Sequence, residues 1–126
     1  MPIHALVLVA AVAAFFFAMG AVALVRPEQV VVYFGTSTLT RDGRNEVRAV
    51  YGGFGIAVAL LLLATLWLPQ IRAGILVAVG VALLGMAVGR LVSAAIDGSP
   101  GFVPWLFCGV ELALSGALVL ALQAGG

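Results

Sequence analysis

Residues 73–96 read AGILVAVGVALLGMAVGRLVSAAI, an apolar run with no ionisable side chain before Arg90. A helix of about 20 apolar residues crosses the hydrocarbon core of a bilayer, so this stretch is long enough to span a membrane. It carries Gly85-Met86-Ala87-Val88-Gly89, the GxxxG spacing that lets two helix backbones approach closely. Trp67-Leu68-Pro69 marks the membrane boundary before it, and Asp97-Gly98-Ser99-Pro100 breaks the helix after it.

Three more stretches read the same way, which gives spans at about 3–25, 46–68, 73–96 and 102–123. Small residues recur along them: Ala10, Ala14 and Ala18 in the first, and Gly109, Ala113, Ala117 and Ala121 in the fourth. Such rows predict an all-α integral membrane bundle of four transmembrane helices in one domain, with small-residue packing faces. Pro104 falls in the first turn of the fourth span, where a missing N–H costs nothing. The first run is expected to be a span and not a signal peptide. Ala21-Val22-Ala23 resembles a cleavage site, but Met1-Pro2-Ile3-His4 has no positive n-region and the run is long.

Residues 27–45 form the one long connection. Pro27-Glu28-Gln29 and Val30-Val31-Val32-Tyr33-Phe34 suggest a short amphipathic or re-entrant piece near the interface, although the Val-rich run also fits an ordered coil. Thr36 to Asn45 is polar, and Asp42 or Asn45 is placed to cap the second span.

The composition bounds what such a chain can do. Of 126 residues 64% are hydrophobic and 9% charged, with a mean hydropathy of +1.26, whereas a soluble domain is roughly a quarter charged. A net charge of +1 without a basic run gives no nucleic-acid footprint. Cys108 is the only cysteine and His4 the only histidine, so an intrachain disulfide, a Cys-cluster metal site and a bis-histidine haem are excluded, and no cofactor or metal is expected.

Four spans put both termini on one side with the 69–72 turn, and the long loop on the other side with the 97–101 turn. Arg26, Arg41 and Arg44 lie on the loop side, with Arg48 and Arg90 near it, against Arg72 alone opposite. The positive-inside rule then predicts a cytoplasmic loop and periplasmic or external termini, in a bacterium at the inner membrane.

That topology brings the ionisable residues of the spans to one half of the bilayer. Tyr51, Gly52 and Gly55 follow Arg48 at i+3, i+4 and i+7, and Ser93 and Asp97 follow Arg90 at i+3 and i+7. Glu111 lies about nine residues into its span, more than about 10 Å deep at ~1.5 Å per residue. Cys108 and Ser115 flank it at i−3 and i+4. A charge so placed costs at least about 2.5 kcal/mol and turns inward to pair, and Arg90 is the expected partner of Glu111.

Three uses of Arg48, Tyr51, Arg90, Ser93, Asp97 and Glu111 stand open. They form buried ion pairs that fix helix register, Arg90 with Glu111 and Arg48 with Asp97. Or they line a non-enzymatic pocket for a membrane lipid headgroup or a small anionic or lipophilic ligand, with Glu111 orienting an Arg. Or Glu111 and Asp97 move protons in an isomerase-like membrane enzyme. A structural alternative is a homo-oligomer or a subunit of a larger membrane complex, docked through a row such as Gly85 and Gly89.

The run Asn45-Glu46-Val47-Arg48-Ala49-Val50-Tyr51-Gly52-Gly53, with Gly89-Arg90-Leu91-Val92-Ser93 and Asp97-Gly98 downstream, resembles a bacterial family of small four-span membrane proteins. That family is domain of unknown function family 4345. The resemblance covers nearly the whole chain and implies fold and membrane residence, with no activity. Its motifs include Arg48, Tyr51, Arg90, Ser93 and Asp97, whereas Glu111 comes from periodicity alone.

Overall fold

Pro27 sets the first corner of the chain. In the computed structural model, which describes residues 1–36 and 38–125, helix α1 (Ile3–Val25) ends where Arg26 turns out of the helical region at φ −135° and ψ 73°. A proline pushes the residue before it away from α geometry, and its own missing N–H is harmless at the start of the next helix. Pro27 therefore opens α2 (Pro27–Val31), which tightens into a 3-10 turn at Val32–Phe34 and stops at Gly35, with a left-handed φ of 83°. The Val-rich run is helical.

Thr40 starts the next helix, α3 (Arg41–Val47), its Oγ1 accepting the Gly43 N–H at 3.0 Å. Asp42 and Asn45, the caps expected from sequence, lie inside the helix instead. A bilayer dictates only where apolar residues are needed, and a helix capped at Thr40 continues through its polar first turn before entering the membrane. From α3 the chain passes through a π-helical turn at Arg48–Gly53 into α4 (Phe54–Ala64), so one helical stretch runs from Arg41 to Ala64. It ends ahead of Leu68 in a turn at residues 65–67, because Pro69 opens α5 (Pro69–Asp97). Gly98, at φ 91°, closes α5, and α6 (Phe102–Gly125) completes the chain.

Among the described residues there is no strand, and α1, α3 with α4, α5 and α6 give four stretches long and apolar enough to cross a membrane. The chain is an all-α, multi-pass membrane protein. Phe17, Leu60, Val81 and Leu120 are exposed on these helices, as lipid-facing side chains are.

The contacts gather into two units. In the unit of residues 10–64, α1 meets the π-helical turn and α4 at backbone distance: a Cβ added to Gly20 would stand 2.8 Å from the Gly52 carbonyl oxygen, and one on Gly55 2.9 Å from that of Phe16. Real Cβ atoms do not approach so closely, so the sequence must supply glycine at both positions. Phe16, Val58, Ala59 and Leu62 are buried in this unit, and Ala23, Val31 and Val47 form a cluster near its polar end.

The other unit holds residues 1–9 and the chain from Thr65 onward. Its centre is the antiparallel hairpin of α5 and α6, with Leu76, Leu83, Ala87, Leu118 and Ala121 buried. Gly85 and Gly89 do not serve this packing: both are exposed, with open space where a Cβ would stand. The face carrying Leu83 and Ala87 is the buried one.

The two classes of glycine should behave oppositely on substitution. Gly55→Ala is expected to destabilise the protein by about 1–3 kcal/mol, as overpacking does, while Gly89→Ala changes stability by less than about 1 kcal/mol in either direction. Unfolding in mixed micelles measures both, and similar losses in the two variants would contradict the packing described.

Candidate functional site

Arg90 lies two turns before the end of α5, and Glu111 about nine residues after the start of α6. At ~1.5 Å per residue both sit about 10–13 Å from the end of the hairpin where the two helices join, so antiparallel packing brings them to one level. Arg90 Nε donates to Glu111 Oε1 at 2.8 Å and Arg90 Nη2 to Oε2 at 2.9 Å. The bond is bidentate, and both carboxylate oxygens are engaged. The Glu111 side chain is 3% exposed and that of Arg90 25%, so the acid is sealed in the hairpin while the arginine side chain is partly exposed. The Phe107 ring, one turn before Glu111 on α6, lies 5.6 Å from the Arg90 guanidinium carbon, within the range of a cation–π attraction.

The rest of the polar face of α6 also turns to α5. Ser115 Oγ donates to the Gly80 carbonyl at 3.0 Å, and Cys108 Sγ lies 3.9 Å from the Ala87 carbonyl oxygen. Near the turn, Trp105 Nε1 donates to Ser99 Oγ at 2.8 Å. The i−3 and i+4 neighbours of Glu111 thus tie the helices together below and beside the ion pair. Phe107 was not singled out in the sequence, although its place at i−4 from Glu111 puts it on the same face.

The other candidate residues have separate surroundings. Ser93 and Asp97, on α5, are exposed and take no part in the Arg90–Glu111 bonds. Arg48 and Tyr51 belong to the unit of residues 10–64. Arg48 opens the π-helical turn, is exposed, and donates from Nε to the Leu24 carbonyl at 2.9 Å. That carbonyl is in the last turn of α1 and has no helical N–H to receive, so a cation from the neighbouring helix satisfies it. Arg48 and Asp97, both exposed, are not the buried ions that a register-fixing pair requires. Tyr51 is half-buried against the Ala23, Val31 and Val47 cluster. Gly52 packs on Leu24. Arg72, in the first turn of α5, repeats the arrangement of Arg48 by donating from Nε to the Thr65 carbonyl at 2.8 Å.

Among the described residues no three His, Cys, Asp or Glu side chains gather as a metal site.

The family model for Domain of unknown function (DUF4345) matches residues 5–122. The chain belongs to this family. No curated protein and no solved structure matches it. For this DUF4345 member the match runs through all four apolar stretches and includes both partners of the ion pair.

Removing one partner of the pair strands a charge in the hairpin. Arg90→Met alone and Glu111→Leu alone are each expected to cost about 3 kcal/mol, and the double variant less than the sum. A double-mutant cycle on unfolding free energies measures the coupling; additive losses would show that the two side chains do not act as a pair.

Proposed function

We propose that the protein is a non-enzymatic accessory protein of the inner membrane that holds an anionic lipid headgroup or small anionic molecule at polar residues on the cytoplasmic side. The observation that carries this reading is the bidentate grip of Glu111 on Arg90. Proton transfer to a substrate needs a carboxylate oxygen turned toward it, and here both oxygens hold the guanidinium. What the grip supplies is a guanidinium of fixed orientation on a partly exposed side chain, a group suited to a planar or tetrahedral anion. Arg48, exposed and anchored through Nε, is an oriented guanidinium of its own unit, residues 10–64. Ser93 and Asp97, exposed on α5 beyond Arg90, are further candidates in the Arg90 unit, and Tyr51 is one in the unit of Arg48.

The orientation follows from charge. Arg26, Arg41, Arg44, Arg48 and Arg90 against Arg72 favour a cytoplasmic loop and external termini. A C-terminal reporter active only outside the cytoplasm should therefore give signal, and a signal from a cytoplasm-specific reporter would reverse the topology.

Native mass spectrometry of gently extracted protein tests the binding. Wild type should carry a lipid or small molecule, Arg90→Ala should lose it, and Glu111→Gln should bind less while remaining folded. An empty wild-type protein, with both variants merely less stable, would reduce the pair to an internal strut.

A second reading, as a subunit of a larger membrane complex, is favoured by the bare surface at Gly85 and Gly89. Co-extracted protein in the same spectra would support it.

A further inference from the structure

The 3-10 turn after α2 carries three consecutive large apolar side chains on the outside of its unit: Val32 is 50% exposed, Tyr33 56% and Phe34 47%. Immediately before them Pro27 and Val31 are buried, Val31 with Ala23 of α1 and Val47 of α3, so the segment is pinned on one side and apolar on the other. The exposed apolar surface does not begin there. Val22, Leu24 and Val25 at the end of α1, and Val50 and Phe54 around the π-helical turn, are exposed in the same unit. The turn continues that lipid-facing surface outward, past the point where the span ends.

Polar groups then close the segment off. Gly35 turns the chain, Thr36 and Thr38 are exposed, and Arg44 lies 3.7 Å from Glu28 while also donating to the Leu39 carbonyl at 2.9 Å. Arg26 and Arg41, exposed near the two ends of the connection, add positive charge at the level where anionic headgroups lie. Valines beside an aromatic pair, next to arginines, make the composition of a segment lying in the membrane interface.

We infer that residues 27–34 lie flat in the headgroup–acyl boundary of the leaflet, with Val32, Tyr33 and Phe34 immersed, as an interfacial anchor. The partner of this surface is the bilayer and not a protein. The inference is independent of any ligand at Arg90. It assigns the long connection a task of its own, setting the depth at which the Arg48 end of the unit sits.

Spin labels placed one at a time at Val32→Cys, Phe34→Cys and Thr38→Cys, each in a Cys108→Ser background, test it in vesicles of phosphatidylethanolamine and phosphatidylglycerol. At positions 32 and 34 oxygen should reach the label and a water-soluble nickel chelate should not, giving an oxygen-to-chelate accessibility ratio several-fold above that at position 38. Chelate access at 32 and 34 equal to that at 38 would overturn the inference by placing the turn in water. Exclusion of both oxygen and chelate would overturn it too, because the face would then be covered by protein.

Discussion

Hydrocarbon offers no hydrogen bonds, so each polar group that enters the bilayer must be satisfied by the chain itself. The side-chain chemistry of this protein follows from that constraint. Arg48 closes the Leu24 carbonyl at the end of α1, Arg72 closes the Thr65 carbonyl, Ser115 reaches the Gly80 carbonyl, and Arg90 and Glu111 neutralise each other. Arg48, Arg72 and Arg90 are thereby committed to specific acceptors, and a guanidinium suits the work because its donors diverge from one planar group.

Packing answers the same constraint by different means. Apolar side chains gain nothing from leaving lipid for one another, so close van der Waals contact must supply the cohesion, and it is tightest where side chains are absent. Gly20 and Gly55 give α1 and α4 that contact in one unit. In the α5–α6 hairpin the contact is made by larger side chains, Leu76, Leu83 and Leu118, reinforced by the polar bonds between the helices. Each unit thus has its own solution, one by backbone approach and one by an ion pair with supporting hydrogen bonds.

Much of this was legible in the sequence. Apolar runs of sufficient length reveal spans because length and composition are what the bilayer selects, and the equal depth of Arg90 and Glu111 from one turn revealed their pairing. The start of the second stretch was misread because its cap, Thr40, lies outside the apolar run, where nothing distinguishes it from the polar residues around it. The role of Arg48 was hidden for a related reason: its partner is a backbone carbonyl, and Leu24 is one apolar residue among many. The GxxxG pair left two readings open, a contact within the bundle or an outward-facing row, and in the structure Gly85 and Gly89 are exposed. Spacing shows that a backbone can be approached and is silent about which helix, if any, makes the approach.

The π-helical turn at Arg48–Gly53 has a bearing on how the second stretch tolerates change in length. The Phe54 N–H closes on the Ala49 carbonyl, five residues back, so the turn accommodates one residue more than an α-helix would need there. The faces on either side are consequently out of phase: Val47 and Arg48 address the end of α1, while Gly55, Val58 and Leu62 are buried by a separate register. A single-residue deletion within the turn is absorbed by its relaxation to ordinary helix, whereas the same deletion in α4 rotates every following side chain by about 100°. Among related sequences, insertions and deletions in this stretch should therefore collect between residues 48 and 53, a tolerance that belongs to the backbone and not to any side chain.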